Sequence, residues 1–319
     1  MSGALRVLAV TNHYPSEESP GDTPCIRDQV LSLRRLGIEV DVIRIDRARR
    51  RRSYLRTAAR LFRLSFQRKR YDLVHAYYGY AGLLARLQFK YPVVVTFRGS
   101  DLLSRRNRRI GPLVARSVEG VIVMSEEMRR VSRREDARVI PFGVDLERCS
   151  PGPIDRARRE LGLSLEEELV LFPWNPERPE KRFDLASAAV RALQHERPGL
   201  RLLPIWNEPP ERVFEYMKAC DALLLVSDRE GAPMAVREAL ACGLPIVSVD
   251  VGDVRRLIGD LEGCHVCRQD VDDVAQKLRL ALARGRRLDV SRDRIPDAAQ
   301  VAREVIEVYE RVLGSNRRP

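Results

Sequence analysis

Short apolar runs, each followed by a stretch with helical spacing, recur along this chain and limit its fold more than any other feature. LRVLAV (5–10), IEVDVIRI (38–45), YDLVHA (71–76), YPVVVTF (91–97) and GVIVMS (120–125) read as strands. CIRDQVLSLRRLG (25–37) reads as a helix closed by Gly37. Apolar runs without polar alternation belong to strands covered on both faces, and parallel neighbours need a crossover long enough to hold a helix. The expectation is a doubly wound parallel sheet, which binds ligands beyond the carboxyl ends of its strands.

The turn-rich CSPGPID (149–155) reads as a linker, after which the pattern restarts. ELVLFPW (168–174), LRLLPIW (200–206), ALLLV (222–226) and PIVSVD (245–250) read as strands, with helices at 182–196 and 210–220. A last helix, 298–314, lines up Val301, Ala302, Val305, Ile306, Tyr309, Val312 and Leu313 on one face. At 319 residues the chain suits two domains. The fold expected is α/β: two Rossmann-like, doubly wound parallel-sheet domains facing across a cleft. They span 1–150, joined by helix 298–314, and 151–297.

Bulk properties exclude several classes. No apolar stretch reaches the ~18 residues of a membrane span, and MSGALRVLAVTN lacks the small-residue cleavage site of a secretory signal. A cytoplasmic protein is expected. Six cysteines in such a chain read as free thiols. CHVC (264–267) has zinc-like spacing but no second ligand pair, so buried thiols near a strand are the reading.

DREGAPMAVREALACGLP (228–245) carries the chemistry. Pro233 suits the first position of a helix and Gly243 its stop, with Val236, Ala239 and Leu240 toward the core. Amides near Gly231 to Ala235, with the helix dipole, make an anion site. Glu238 lies roughly 7–8 Å up the helix from Pro233, while Glu230 precedes it in the loop. A diphosphate could sit at the helix mouth, with hydroxyl-rich sugar and ribose reaching the two carboxylates. An exposed helix surface is the plainer alternative.

The context resembles the family-4 (group 1) retaining glycosyltransferases of the GT-B fold: Glu-Gly, a seven-residue gap to Glu-Ala, then Gly-x-Pro-x-Val. VHAYYGYAGLLARL (74–87), TFRGSDL (96–102), VIPFGVDLERCSP (139–151) and PEKRFDLA (179–186) resemble further motifs of that family, in order. The resemblance implies an acceptor-side first domain and a donor-binding second one. Glu238 would bind the donor ribose and Glu230 the transferred sugar. The amides of Gly231, Ala232, Pro233, Met234 and Ala235 would line the sugar and diphosphate (Pro233 without an N–H to give), and Lys181 would contact the diphosphate. A positioned cation stabilises charge building on a departing phosphate. Pro176 stands where the family has an arginine, leaving Arg178 as substitute and Arg182 as a second candidate. Gly21, beside Asp22 and Thr23, stands for the family's glycine-rich loop. Arg98 replaces its usual histidine, keeping hydrogen-bond donors but not proton exchange. His13 and His75 read as structural. The segment between LRLLPI and CDALLL is shorter than the family's, so the base pocket is not legible; Trp206 is either a base stack or a rim residue.

The expected activity is a retaining transfer from a nucleotide sugar to a lipid-linked or glycan acceptor. The resemblance implies a front-face mechanism in which the leaving phosphate takes the acceptor proton. No cofactor is implied beyond the nucleotide-diphosphate sugar itself, which is the substrate. No metal is implied, since Lys181 and the helix mouth can neutralise the diphosphate and no Asp-x-Asp lies near a strand end. Rival readings are an epimerase or phosphorylase on the same fold, a glycosidase using Glu230 and Glu238, and a non-catalytic anionic-lipid or nucleotide-binding protein.

One feature lies outside those motifs. Residues 1–150 hold 30 Lys/Arg against 16 Asp/Glu, and residues 44–70 alone carry twelve basic residues and one acid, Asp46. RRRRSYLRTAARLFRLSFQRKR (49–70) places Tyr54, Ala58, Leu61, Phe62 and Ser65 on one helical face. Such a helix suits peripheral contact with an anionic membrane at the inner face. It could equally pack its stripe on the sheet with its arginines solvated. No recognition motif accompanies the basic run, which disfavours nucleic acid.

Overall fold

The computed structural model describes residues 4–46, 50–104 and 107–315. Among these the chain forms two compact units. One holds residues 4–15, Asp22–Gly143 and 298–315; the other holds Ser16–Gly21 and Val144–Asp297.

The first unit is built on six parallel strands: β1 (Arg6–Thr11), β2 (Glu39–Arg44), β3 (Leu73–Tyr77), β4 (Val93–Thr96), β5 (Gly120–Val123) and β6 (Arg138–Val139), in the order β2-β1-β3-β4-β5-β6. Val7 pairs with both Val40 and Leu73, which sets β1 between β2 and β3. Every residue of β3, β4 and β5 is buried, as their unbroken apolar runs require of strands covered on both faces. Each such Val or Leu contributes roughly 1.5–3 kcal/mol on burial. The edge strand β2 alternates exposed and buried positions over most of its length instead.

Helix Ala298–Ser315 buries Val301, Ala302, Val305, Val308, Tyr309 and Val312 in this unit. A Cβ on Gly120 would lie 2.9 Å from Val312 Cγ2, so glycine at the head of β5 permits the close approach. The fully buried His75 sits against the same helix. Its Nδ1 lies 2.6 Å from the Tyr309 hydroxyl and its Nε2 2.7 Å from Thr96 Oγ1, and its ring stacks on Tyr77. His75 is therefore a structural tie between β3, β4 and the last helix. Burial lowers its pKa to about 3, against an ordinary value of ~6.5. The neutral ring is what the fold holds. Its contribution is complete above about pH 6.5 and is lost as pH falls toward 3, at most about 1.4 kcal/mol per pH unit. Thermal midpoints measured across that window should fall more steeply for the natural protein than for His75→Gln; equal slopes would contradict this assignment.

The second unit repeats the topology with β7 (Glu168–Phe172), β8 (Leu200–Pro204), β9 (Ala222–Leu225), β10 (Ile246–Val249) and β11 (His265–Cys267), ordered β11-β10-β9-β7-β8 and all parallel. In each sheet the first strand lies between the second and the third. That leaves a switch point between β1 and β3, and another between β7 and β9, where connections leave in opposite directions. A single helix, Pro210–Ala219, links β8 to β9, in keeping with the short segment there.

Some elements differ from the sequence reading. Pro233 (ψ 114°) is the cap rather than the first residue of helix Met234–Ala241, because its backbone is still extended. Helix Ile154–Leu161 and helix Val271–Ala283 have no counterpart in the sequence reading. An Asp-x-Asp does follow a strand: Asp270 and Asp272 come after β11, and the Asp270 side chain caps the next helix by accepting the Asp273 amide. CHVC spans β11 with Cys264 and Cys267 buried, and all six cysteines are free thiols. Helix Arg50–Leu64 buries Thr57, Leu61 and Leu64 but leaves Phe62 outside, so the packing stripe is rotated from the one expected. Residues 47–49 of the basic stretch lie outside the described residues.

Candidate active site

The loops leaving the two sides of the second switch point bring Lys181 and Glu230 together. After β7 the chain passes through a tight turn, Pro179–Lys181, and after β9 through residues 226–233. The Asp228 amide donates to the Glu180 carbonyl at 2.9 Å, fastening one loop to the other. Lys181 Nζ then donates to Glu230 Oε1 at 2.5 Å, with both side chains largely buried. The same ammonium lies 4.9 Å from the centroid of the Trp174 ring, a cation–π contact that sequence reasoning missed. Burial lowers the Lys181 pKa, and the neighbouring Glu230 carboxylate opposes that shift without overcoming it. A buried cation held this way is ready for an anionic ligand, because little solvent must be stripped from it on binding.

Helix Met234–Ala241 starts immediately beyond this loop. It buries Val236, Ala239 and Leu240 as expected, and leaves Glu238 half-buried. Gly231 and Pro233 are buried, while Ala232, Met234 and Ala235 are partly accessible. The first amides of a helix have no partner within it, which is the basis of anion binding at such ends.

This loop is secured by residues that the sequence did not single out. Arg237 is fully buried; its Nη2 donates to Asp253 Oδ2 at 2.5 Å and its Nη1 to the Pro233 carbonyl at 3.3 Å. Gly252 has φ +61°, and a Cβ there would meet the Gly231 carbonyl oxygen at 2.8 Å. The loop after β10 thus backs the loop after β9, and only glycine fits at the contact. The available signal was the spacing of Gly252 and Asp253 beyond PIVSVD, which single-sequence reasoning cannot connect to Gly231.

Arg178 is exposed and not brought against Glu230; its guanidinium donates to Glu180 Oε1 at 2.9 and 2.5 Å. It is nonetheless close enough for its charge to contribute to lowering the Lys181 pKa. Arg182 pairs with Asp184 and Asp228.

In the first unit, Arg98 follows β4. Its backbone amide donates to Asp101 Oδ1 at 2.9 Å, while its guanidinium turns to Thr23 Oγ1 at 3.2 Å. Asp101 gathers the amides of Arg98, Gly99 and Gly79, and burial raises its pKa against those three bonds. Thr23 belongs to the loop after β1, so Arg98 lies near the carboxyl ends of this sheet. His13 Nδ1 is 2.7 Å from Asp22 Oδ1 in the same loop. Gly21 groups with the second unit, where a Cβ would meet Asn207 Cα at 2.9 Å. Trp206 is half-exposed. No group of three or more metal-ligating side chains is assembled among the described residues.

Family models match both parts: residues 6–148 fit Glycosyltransferase Family 4 and residues 199–300 fit Glycosyl transferases group 1. The chain is a group 1 glycosyltransferase. This glycosyltransferase is 24% identical to TuaC of Bacillus subtilis (strain 168), a glycosyltransferase named for teichuronic acid biosynthesis, over 80% of this chain and 83% of that one. It is 30% identical to the D-inositol 3-phosphate glycosyltransferase of Actinosynnema mirum, over 68% of this chain; it spans only 66% of that relative's length. Among solved structures, Anabaena Alr3699/HepE in complex with UDP-glucose superposes with a TM-score of 0.65 at 16% identity, covering 98% of this chain and 99% of that one. The glycosyltransferase has the GT-B fold, with its two parallel sheets.

Proposed function

We propose that the chain moves a sugar from a nucleotide-diphosphate donor to a lipid-linked or glycan acceptor, with retention at the anomeric carbon and without a metal. The buried Lys181–Glu230 pair at the switch point beside a helix mouth carries this reading. A nucleotide-sugar donor also suits the likeness to a protein solved with UDP-glucose.

In this reading Lys181 and the amides around Gly231–Ala235 hold the diphosphate. A carboxylate has about four acceptor positions, so Glu230 can keep its bond to Lys181 and still accept from a sugar hydroxyl. Glu238 takes the ribose hydroxyls, and Arg178 exchanges Glu180 for phosphate. Transfer forms a bond from the acceptor oxygen to the anomeric carbon and breaks the bond to the diphosphate. The acceptor proton passes to the departing phosphate oxygen, so no protein base is required. As the charge grows on that oxygen, Lys181 stabilises it. The reaction belongs on the cytoplasmic side, where nucleotide sugars are made.

A thermal-shift panel of UDP-, GDP- and ADP-sugars tests the donor. The true donor at ~100 times its dissociation constant should stabilise by roughly 2.7 kcal/mol. Anomeric analysis of the product, with and without a chelator, then tests retention and metal independence. No shift with any nucleotide sugar would sink the proposal.

A further inference from the structure

Three phenylalanines stand together on the outside of the first unit. Phe62, Phe66 and Phe89 are 51%, 69% and 67% exposed, yet their rings meet edge to face, with centroids 5.2 to 6.5 Å apart. Phe62 comes from helix Arg50–Leu64, Phe66 from the turn after it, and Phe89 from the loop before β4. Two separate segments thus build one apolar projection. Phe89 is fixed there, since its amide donates to Ser65 Oγ at 3.2 Å. Leu87, 43% exposed, lies two residues before it. Single exposed apolar side chains are ordinary, but a contiguous aromatic cluster marks an interaction site.

The charges beside it identify the partner. Arg51, Arg52, Arg56, Arg60, Arg63 and Arg68 are exposed, and no ion pair to any of them occurs among the described residues. Elsewhere this protein pairs its arginines freely, as with Arg134 and Asp136 or Arg294 and Asp260. Here the helix carries no acid, and its buried side, Thr57, Leu61 and Leu64, is already used in packing. An aromatic projection carried on the same segment as uncompensated arginines matches the interface of an anionic bilayer, where rings enter the headgroup boundary and guanidiniums meet phosphates. A nucleic acid would stack its bases on ring faces spread along a groove, whereas these three rings meet edge to face in one projecting cluster.

We infer that this surface docks on anionic phospholipid, with Phe62, Phe66 and Phe89 inserting as a wedge and the helix arginines holding the headgroups. The inference extends the membrane reading of the basic stretch by making the aromatic cluster, including Phe89 outside it, the inserting element.

Sedimentation of the full chain with vesicles tests it, using phosphatidylcholine alone or an equimolar mixture with phosphatidylglycerol. The natural protein should sediment with the mixed vesicles and stay in solution with phosphatidylcholine. The combined variant Phe62→Ser/Phe66→Ser/Phe89→Ser should partition at least about tenfold less, since each ring contributes apolar area to insertion. Arg56→Gln/Arg60→Gln/Arg63→Gln should weaken binding and flatten its dependence on salt. The exposed positions leave the core untouched, so the nucleotide-sugar thermal shift should be unchanged in both variants. That readout separates failure here from failure of the transfer reading. Undiminished vesicle binding by the phenylalanine variant, or none by the natural protein, overturns the inference. Tighter binding to RNA than to vesicles, independent of the three rings, would also overturn it and point to a polyanion site.

Discussion

A Lys181→Met variant is expected to lose about a hundredfold to a thousandfold in turnover, the cost of removing one group that stabilises charge formed in a transition state. The same change should lower stability by about 3–5 kcal/mol, because it leaves the Glu230 carboxyl in a largely buried place with no ammonium beside it. A loss of folded protein could by itself mimic a loss of activity, so the pair must be separated. Adding Glu230→Gln to Lys181→Met removes the stranded carboxyl and should restore most of the thermal midpoint. Turnover should not return, since neither methionine nor glutamine can offset a phosphate leaving group. If Lys181→Met keeps turnover within about threefold while the midpoint drops, Lys181 is a structural ion-pair partner and the catalytic reading fails. The pH profile adds a second check. Burial lowers the Lys181 pKa, so activity should decline with rising pH at a lower value than an ordinary lysine, near 10.4, would give.

The strands of the two sheets were legible because their burial is so uniform. Val93, Val94 and Val95 in the first sheet, and Leu223, Leu224 and Leu225 in the second, have no exposed face to interrupt the run. The strand β11 was signalled only by its cysteines, for the opposite reason: three residues at a sheet edge, with His265 and Val266 only half-buried, give neither a run nor an alternation. Helix Val271–Ala283 carried a readable start signal, an Asp270 cap followed by Asp272 and Asp273, that the sequence reading did not use. Of the site, the residues assigned to the donor came from two separate motifs, PEKRFDLA and DREGAPMAVREALACGLP, and the structure adds a contact between them that neither motif stated, Lys181 to Glu230. What supports those residues was not legible. Trp174 under Lys181, Arg237 against Asp253, and Gly252 behind Gly231 are contacts between segments apart in sequence. No local pattern encodes such pairs. Phe62 shows a related limit, because a helical stripe drawn from spacing alone tolerates a rotation that moves one ring from core to surface.

The second large effect is expected at Glu238. Its carboxylate is assigned two ribose hydroxyls, and each charge-assisted bond contributes roughly 1.5–3 kcal/mol. Glu238→Ala should therefore reduce kcat/KM for the nucleotide sugar by at least about a hundredfold. The fold should survive, for three reasons drawn from the helix. Alanine is the best helix former, Glu238 is only half-buried, and the bonds that Cys149 Sγ and the Cys242 amide make to its backbone carbonyl do not involve the side chain. Glu238→Gln keeps acceptor and donor capacity without the charge and should fall between. The distribution of the loss separates binding from proton chemistry. A ribose ligand acts far from the bond that breaks, so much of the change should appear in KM and in the lost thermal shift. A general acid or base would lower kcat at unchanged KM and remove one limb of the pH profile. That second pattern, or a Glu238→Ala enzyme with unaltered kcat/KM, would mean that the two glutamates bracketing the helix mouth do not grip opposite ends of one donor.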